Sequence, residues 1–318
     1  MHSAEICGIM RPAVPKFLLE PSGRTGACRT DFDIEEWLWR ECLKMKRILF
    51  FDLDWTLWNL EEQIPQSACE AIWKARANGH EVWINTGRGR AAVDQPQLFE
   101  LGIDGAVTGA GTMVECRHPG QLQLSIRWRE NRICKYDEIP MEQTAETVEW
   151  LTSHRIYFIL EGRDYLYCDT ETFGDDPFVK RVAQKMGKRM LPVTGNEGKW
   201  SCVKLTCDLK DVIRRDEALE WLTERYVMFA HNENVAEFIP IGHTKGTGVL
   251  AVCRELGISP ENVVAFGDSR NDIEMFEAAG TAVVMGNGTD IAKAHADIVA
   301  LPYDADGIRE GMKSLGII

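Results

Sequence analysis

Positive charge is scarce in this chain. Its 36 Lys and Arg stand against 49 Asp and Glu, a net charge of −13 over 318 residues. Nucleic acids and anionic membranes are held by cationic side chains that neutralise phosphates, so this balance argues against either as a general partner. It leaves room for local positive charge at a single site. No apolar run approaches the ~20 residues of a membrane span, and the amino terminus lacks a secretory apolar segment. The protein is therefore expected to be soluble and cytoplasmic. Zinc-like cysteine spacing is absent too: Cys7, Cys28, Cys42, Cys69, Cys116, Cys134, Cys168, Cys202, Cys207 and Cys253 include no CxxC pair. They read as reduced, mostly buried thiols of a cytosolic protein. No internal repeat or low-complexity tract interrupts the chain. What remains is ample for folding, since 45% of the residues are hydrophobic and the length suggests two domains.

The most informative segment is FDLDWTLW, Phe51 to Trp58. The short apolar run ending at Phe51 reads as a strand buried on both faces of a parallel sheet. Asp52 then falls at the carboxyl end of that strand, where ligand crevices of open α/β sheets lie. Asp54, two residues on, can point the same way. Clustered carboxylates resist joint ionisation unless a cation lies between them, and a hard divalent ion with oxygen ligands would serve. Alternatively, the two aspartates merely solvate a turn. Three other segments bear on that choice. The strand-like run 81–84 enters Asn85-Thr86-Gly87-Arg88, a turn whose hydroxyl and N–H groups suit a phosphate. Lys245 opens a helical stretch running to Leu256 and stopped by Gly257, where the helix dipole disfavours a cation unless an anion joins it. The apolar run 263–266 ends in Gly267-Asp268-Ser269-Arg270-Asn271-Asp272, two more carboxylates at a strand end. Asp272 could also cap the following helix, Arg88 could pair with substrate but reads rather as the partner of a surface carboxylate, and 286–288 reads as a tight turn.

Taken in order, these four segments resemble the motifs of the haloacid dehalogenase-like phosphatases: Asp52-Leu53-Asp54-Trp55-Thr56, then Thr86, then Lys245, then Gly267 to Asp272. The stretches at 85–88, 242–246, 266–275 and 286–288 are similar to those of the Cof-type subfamily, over roughly residues 45–318. Trp55 departs from the pattern, since glycine is usual there. The resemblance implies that Asp52 is the nucleophile, forming an aspartyl-phosphate, and that Asp54 is the general acid and base. Thr86, Gly87, Lys245 and Asn271 would hold phosphoryl oxygens. Mg2+ would be bound by Asp52, Asp54 (through its backbone carbonyl), Asp268 and Asp272. The partner implied is a small phosphorylated metabolite, a sugar phosphate or a phosphorylated cofactor, with no role for nucleic acid or membrane. The alternatives are a phosphomutase of the phosphomannomutase type and a non-catalytic metabolite-binding protein on the same fold.

The expected fold class is α/β: a doubly wound, Rossmann-like parallel-sheet core from 45–114 and 240–318, with an inserted α+β cap over 115–239. In the core, helices are expected from Pro65 to a point before Gly79, over 273–279 and over 289–296. In the insertion they are expected over 141–153, 177–186 and 212–225, with strands over 155–160, 165–168, 202–207 and 226–230. Glu237, near the cap boundary, could serve scaffold or substrate. Residues 1–44 read as an extension, irregular at first, with a capped helix over 33–44.

Overall fold

The computed structural model describes residues 46–173, 177–210, 215–230 and 233–318. The expected helix over 33–44 and the rest of the extension lie outside them. Fourteen strands are seen among the described residues. In chain order they are β1 Ile48–Phe51, β2 Glu81–Asn85, β3 Gly105–Thr108, β4 Met113–Cys116, β5 Arg132–Tyr136, β6 Tyr157–Glu161, β7 Leu166–Tyr167, β8 Met190–Leu191, β9 Lys204–Asp208, β10 Tyr226–Ala230, β11 Val235–Pro240, β12 Val263–Gly267, β13 Thr281–Val284 and β14 Ile298–Val299. They form two sheets, ordered β14-β13-β12-β1-β2-β3-β4-β5 and β10-β11-β9-β6-β7-β8.

In the larger sheet, β14 through β3 run parallel. The chain steps outward from β1 to β2 and β3, then returns to the other side of β1 as β12. This reversal of strand order opens the crevice that such sheets offer to ligands. Register puts the reacting groups there: Phe51 pairs with both Ile84 and Phe266, so Asp52, Thr86 and Asp268 leave the sheet at nearly one level. Helices cover both faces. Helix Lys245–Leu256 buries Val249, Val252 and Cys253 with Phe50 and Trp83 on one face, while helix Gln66–Ala77 buries Ala68, Ala71, Ile72 and Ala75 with Leu49 and Phe51 on the other. The doubly wound α/β expectation thus holds. β4 and β5 then extend the sheet antiparallel beyond β3.

In the second sheet every pairing is antiparallel except β7 with β8. Helices Met141–Ser153 and Pro177–Met186 have the expected bounds, and Arg215–Thr223 is the described part of the third. The helix expected over 289–296 shortens to Asp290–Lys293. Strand β11 was not anticipated. Its alternation, with Ala236 and Phe238 buried, is masked by Glu237 and Pro240, yet it supplies Glu237 to the sheet opposite Thr206 of β9.

Candidate active site

Each motif residue reaches the crevice for a local reason. Asp52 follows β1 directly, and its backbone N–H donates to Phe266 O at 2.9 Å, stitching the loop to β12. Lys245 occupies the first turn of a helix whose Thr244 and Thr247 satisfy each other's backbone N–H in a capping box. Its side chain is buried, and Nζ donates to Asp52 Oδ1 and Asp272 Oδ1, both at 2.6 Å, and to Asn271 Oδ1 at 3.3 Å. An anion therefore does meet the cation at this helix start. The anions are the protein's own carboxylates.

Asp272 does not cap its helix with its side chain. Its Oδ2 instead accepts the backbone N–H groups of Asp268 and Ser269 at 3.0 Å each, which closes the loop that presents Asp268. Asp268 Oδ1 accepts the Thr56 hydroxyl at 3.1 Å. Ligand oxygens of Asp52, Asp268 and Asp272 lie within 4.8 Å of one another, all three residues being buried. Burial, offset in part by Lys245 and reinforced by the other three aspartates, pushes the Asp52 carboxyl well up. Burial and Asp272 likewise push Asp268 up to about 7. Two oxygen ligands that resist ionisation in the absence of a cation suit a hard divalent ion.

Thr86 is buried at the end of β2. Its hydroxyl accepts the Arg88 N–H at 3.1 Å and keeps its own proton to donate. Gly87 passes close to the second sheet: a Cβ there would stand 3.3 Å from Glu237 Oε2 and 3.8 Å from Asn271 Nδ2. Asp54 is half-exposed. Arg88 grips it through Nε at 2.8 Å and Nη2 at 2.5 Å, and Trp58 Nε1 donates to it at 3.1 Å. Although burial pulls the other way, the Arg88 guanidinium holds the Asp54 carboxyl below its ordinary range.

Arg88 does pair with a carboxylate, but with two at once and beside the first motif. It bridges Asp54 and Glu62, the latter at 2.6 Å, and stands 5.1 Å over the Trp58 ring. Glu62 also receives Lys185 from the second sheet's helix. Sequence reading passed over Glu62, which lies in a segment with no strand or helix period. A left-handed φ of 59° marks it in the structure. Trp55 shares that conformation, with φ of 62°, which accounts for glycine being the usual occupant. Its ring meets Tyr303 edge-on at 5.6 Å and its carbonyl accepts Asn287 Nδ2 at 2.8 Å. The turn at 286–288 therefore braces the first motif.

A second polar cluster faces this loop. Lys204 and Thr206 alternate on one face of β9, opposite Glu161 of β6 and Glu237 of β11. Lys204 Nζ, buried, lies 3.2 Å from Glu161 Oε1 and 2.5 Å from Glu237 Oε1. Thr206 Oγ1 donates to Glu161 Oε1 at 2.8 Å, and Gly89 N–H donates to Glu161 Oε2 at 3.0 Å. Arg88, Glu161, Lys204, Thr206 and Glu237 line one cavity of about 230 Å³.

Comparison with known proteins agrees with this geometry. A family model for haloacid dehalogenase-like hydrolases matches residues 49–312. The pyridoxal phosphate phosphatase YbhA of Escherichia coli is 27% identical, over 83% of this chain and 96% of its own length. The phosphatase YwpJ of Bacillus subtilis is 25% identical, over 85% and 99%. A chloroplastic endoribonuclease of Arabidopsis thaliana, YBEY, is 25% identical over 83% of this chain, which spans 45% of that longer protein. Among solved structures, a sugar phosphatase of HAD subclass IIB aligns with a TM-score of 0.70 at 26% identity, covering 86% of this chain and all of that one.

Proposed function

The chain belongs to the haloacid dehalogenase-like hydrolases, in their Cof-type branch, and is a phosphatase; from that premise we propose that it hydrolyses small phosphorylated metabolites with Mg2+, through an aspartyl-phosphate. The observation that carries this reading is the seat of Asp52, a buried carboxylate at the topological switch point, with Lys245 at 2.6 Å on one side and Asp268 close on the other. A divalent metal is general to this superfamily. Here Asp52, Asp268 and the Asp54 backbone carbonyl would hold it, with Asp272 orienting Asp268. When bound, Mg2+ supplies charge neutralisation for the phosphoryl group.

The remaining steps fall to side chains. Asp52 attacks phosphorus in line, with Thr86 Oγ1, the Gly87 N–H, Lys245 Nζ and Asn271 Nδ2 gripping the phosphoryl oxygens. Lys245 exchanges a carboxylate partner for a phosphate one as substrate enters. Asp54 takes up a proton against the pull of Arg88 as the phosphate enters, gives it to the leaving alkoxide, and then takes a proton from water for the second displacement. Arg88 holds Asp54 toward the crevice, which makes it a positioning residue. Residues of the second sheet act as a cap that excludes water and selects the leaving group. The test is a phosphate-release screen across phosphometabolites, run with Mg2+ and with chelator. Release that needs Mg2+ is the expected result, and full activity in chelator or rescue by zinc alone would contradict the site.

A further inference from the structure

Resting on that reading, we infer that the face formed by Glu161, Lys204, Thr206 and Glu237 is a leaving-group subsite for neutral, hydroxyl-bearing rings, and that it rejects a second anion on the substrate. Position comes first. Glu161 takes the Gly89 N–H and Glu237 stands beside Gly87, so both carboxylates sit at the loop that holds the phosphate. A leaving group on a phosphate gripped at Thr86 and Gly87 would therefore lie near them. A Cβ at Gly89 would stand 3.1 Å from Glu161, so a side chain there would press on the carboxylate that the loop meets.

Charge decides what can bind. Three cations line the cavity, Arg88, Lys185 and Lys204, and each already has carboxylate partners: Asp54 and Glu62 for Arg88, Glu62 for Lys185, Glu161 and Glu237 for Lys204. Four carboxylates therefore face three cations. A second phosphate or a carboxylate on the substrate would meet this excess of negative charge, and could take Arg88 or Lys204 only by leaving an acid of the cluster without its cation, which is costly. A hydroxyl meets no such obstacle. It donates to a carboxylate oxygen, which has two lone pairs and so accepts more than one bond, or bonds the Thr206 hydroxyl. Burial works to lower the Lys204 ammonium, but Glu161 and Glu237 outweigh it and leave it above its ordinary value, so the lysine stays charged and the carboxylates stay fixed.

Shape narrows the class further. Ile159, Leu166, Val182 and Met186 form the apolar part of the same wall, suited to the carbon face of a ring. The volume of about 230 Å³ lies below the ~300–1,000 Å³ of pockets for drug-sized ligands, which fits one ring rather than a nucleotide. A phosphomutase must hold both phosphates of a bisphosphate sugar, so this lining also opposes that alternative.

The test compares a hexose 6-monophosphate with the 1,6-bisphosphate of the same hexose, with p-nitrophenyl phosphate as a third substrate, all with Mg2+. In the wild-type protein kcat/KM for the monophosphate should exceed that for the bisphosphate by at least ~10-fold. In Glu237→Gln, and separately in Glu161→Gln, the ratio of monophosphate to p-nitrophenyl phosphate kcat/KM should fall by about 10- to 100-fold, as for a lost charged hydrogen bond. Discrimination against the bisphosphate should relax in both. Equal or better use of the bisphosphate by the wild type, or unchanged ratios in both folded variants, would overturn the inference while phosphatase activity stood. The wild-type comparison decides the matter if the variants fail to fold. No release from any of the three substrates would instead overturn the functional reading and this inference with it.

Discussion

Two buried lysines, each held between two carboxylates, make an instructive pair. Lys245 joins Asp52 and Asp272 at the carboxyl end of the parallel sheet, and Lys204 joins Glu161 and Glu237 on the second sheet. The difference lies in what surrounds them. Around Lys245 a further acid, Asp268, has no ion-pair partner among the described residues, and both Asp52 and Asp268 are pushed up by burial and by their neighbours. Around Lys204 both acids touch the lysine itself. An acid outside the lysine's reach suits the binding of a cation and a phosphoryl group, as proposed for the first cluster, whereas acids fixed on their lysine suit the leaving-group surface inferred for the second.

The largest effects should separate the two clusters cleanly. Asp52→Asn should lower turnover by on the order of 10⁴-fold or more while leaving the melting midpoint unchanged or raised, because one of several repelling buried acids is neutralised. Lys204→Met should do the reverse, removing about 3–5 kcal/mol of stability because two buried carboxylates lose their partner. Parallel activity assays and thermal melts check both. A large drop in melting midpoint for Asp52→Asn would collapse the distinction.

A finer division runs within the core site. Asp54→Asn should cut turnover of sugar phosphates by about 10²–10⁴-fold, the size of a general-acid contribution, and that of p-nitrophenyl phosphate far less, because the aryl leaving group needs little protonation. Equal losses on both would assign Asp54 to shaping the site instead.

Much of this was legible before any coordinates. Continuous apolar runs ending in Asp52, Asn85 and Gly267 announced parallel strands, and Gly257 ended the lysine helix, because strand period and helix stops are local signals. The motif residues meet as anticipated for that reason. Arg88 and Glu62 were not legible, since their pairing joins segments 26 residues apart and no period marks a long-range ion pair. Glu237 stayed undecided because its strand is short and ends in proline, and its role depends on which residue of β9 it faces. The conformation of Trp55 was equally hidden, as a left-handed φ leaves no trace in a sequence except the glycine it usually demands.

Acidity offers a smaller, graded contrast. In chelator, Asp268 binds its proton more tightly in the folded state, at about 7, than in the unfolded chain, so the stability it contributes should be lost as pH rises from about 4 to about 7. Mg2+ should offset that loss by binding the ionised form. Melting midpoints across that range, with and without Mg2+, check the sign, and a chelated protein that grew more stable toward pH 7 would contradict it. Smallest of all should be Trp55→Gly. It relieves about 1–2 kcal/mol of left-handed backbone cost but gives up about 0.5–1.5 kcal/mol of contact with Tyr303, so its melting midpoint should move by only a few degrees.

The central claim, that Asp52 takes the phosphoryl group, is open to direct capture. Acid quenching during steady-state turnover of a hexose 6-phosphate, followed by borohydride reduction and peptide mass spectrometry, should convert residue 52 alone to homoserine, the product of reducing an aspartyl-phosphate. The conversion should vanish in Asp52→Asn. Active enzyme with no homoserine at position 52, or with the reduced residue at position 54 or 268, would contradict the account.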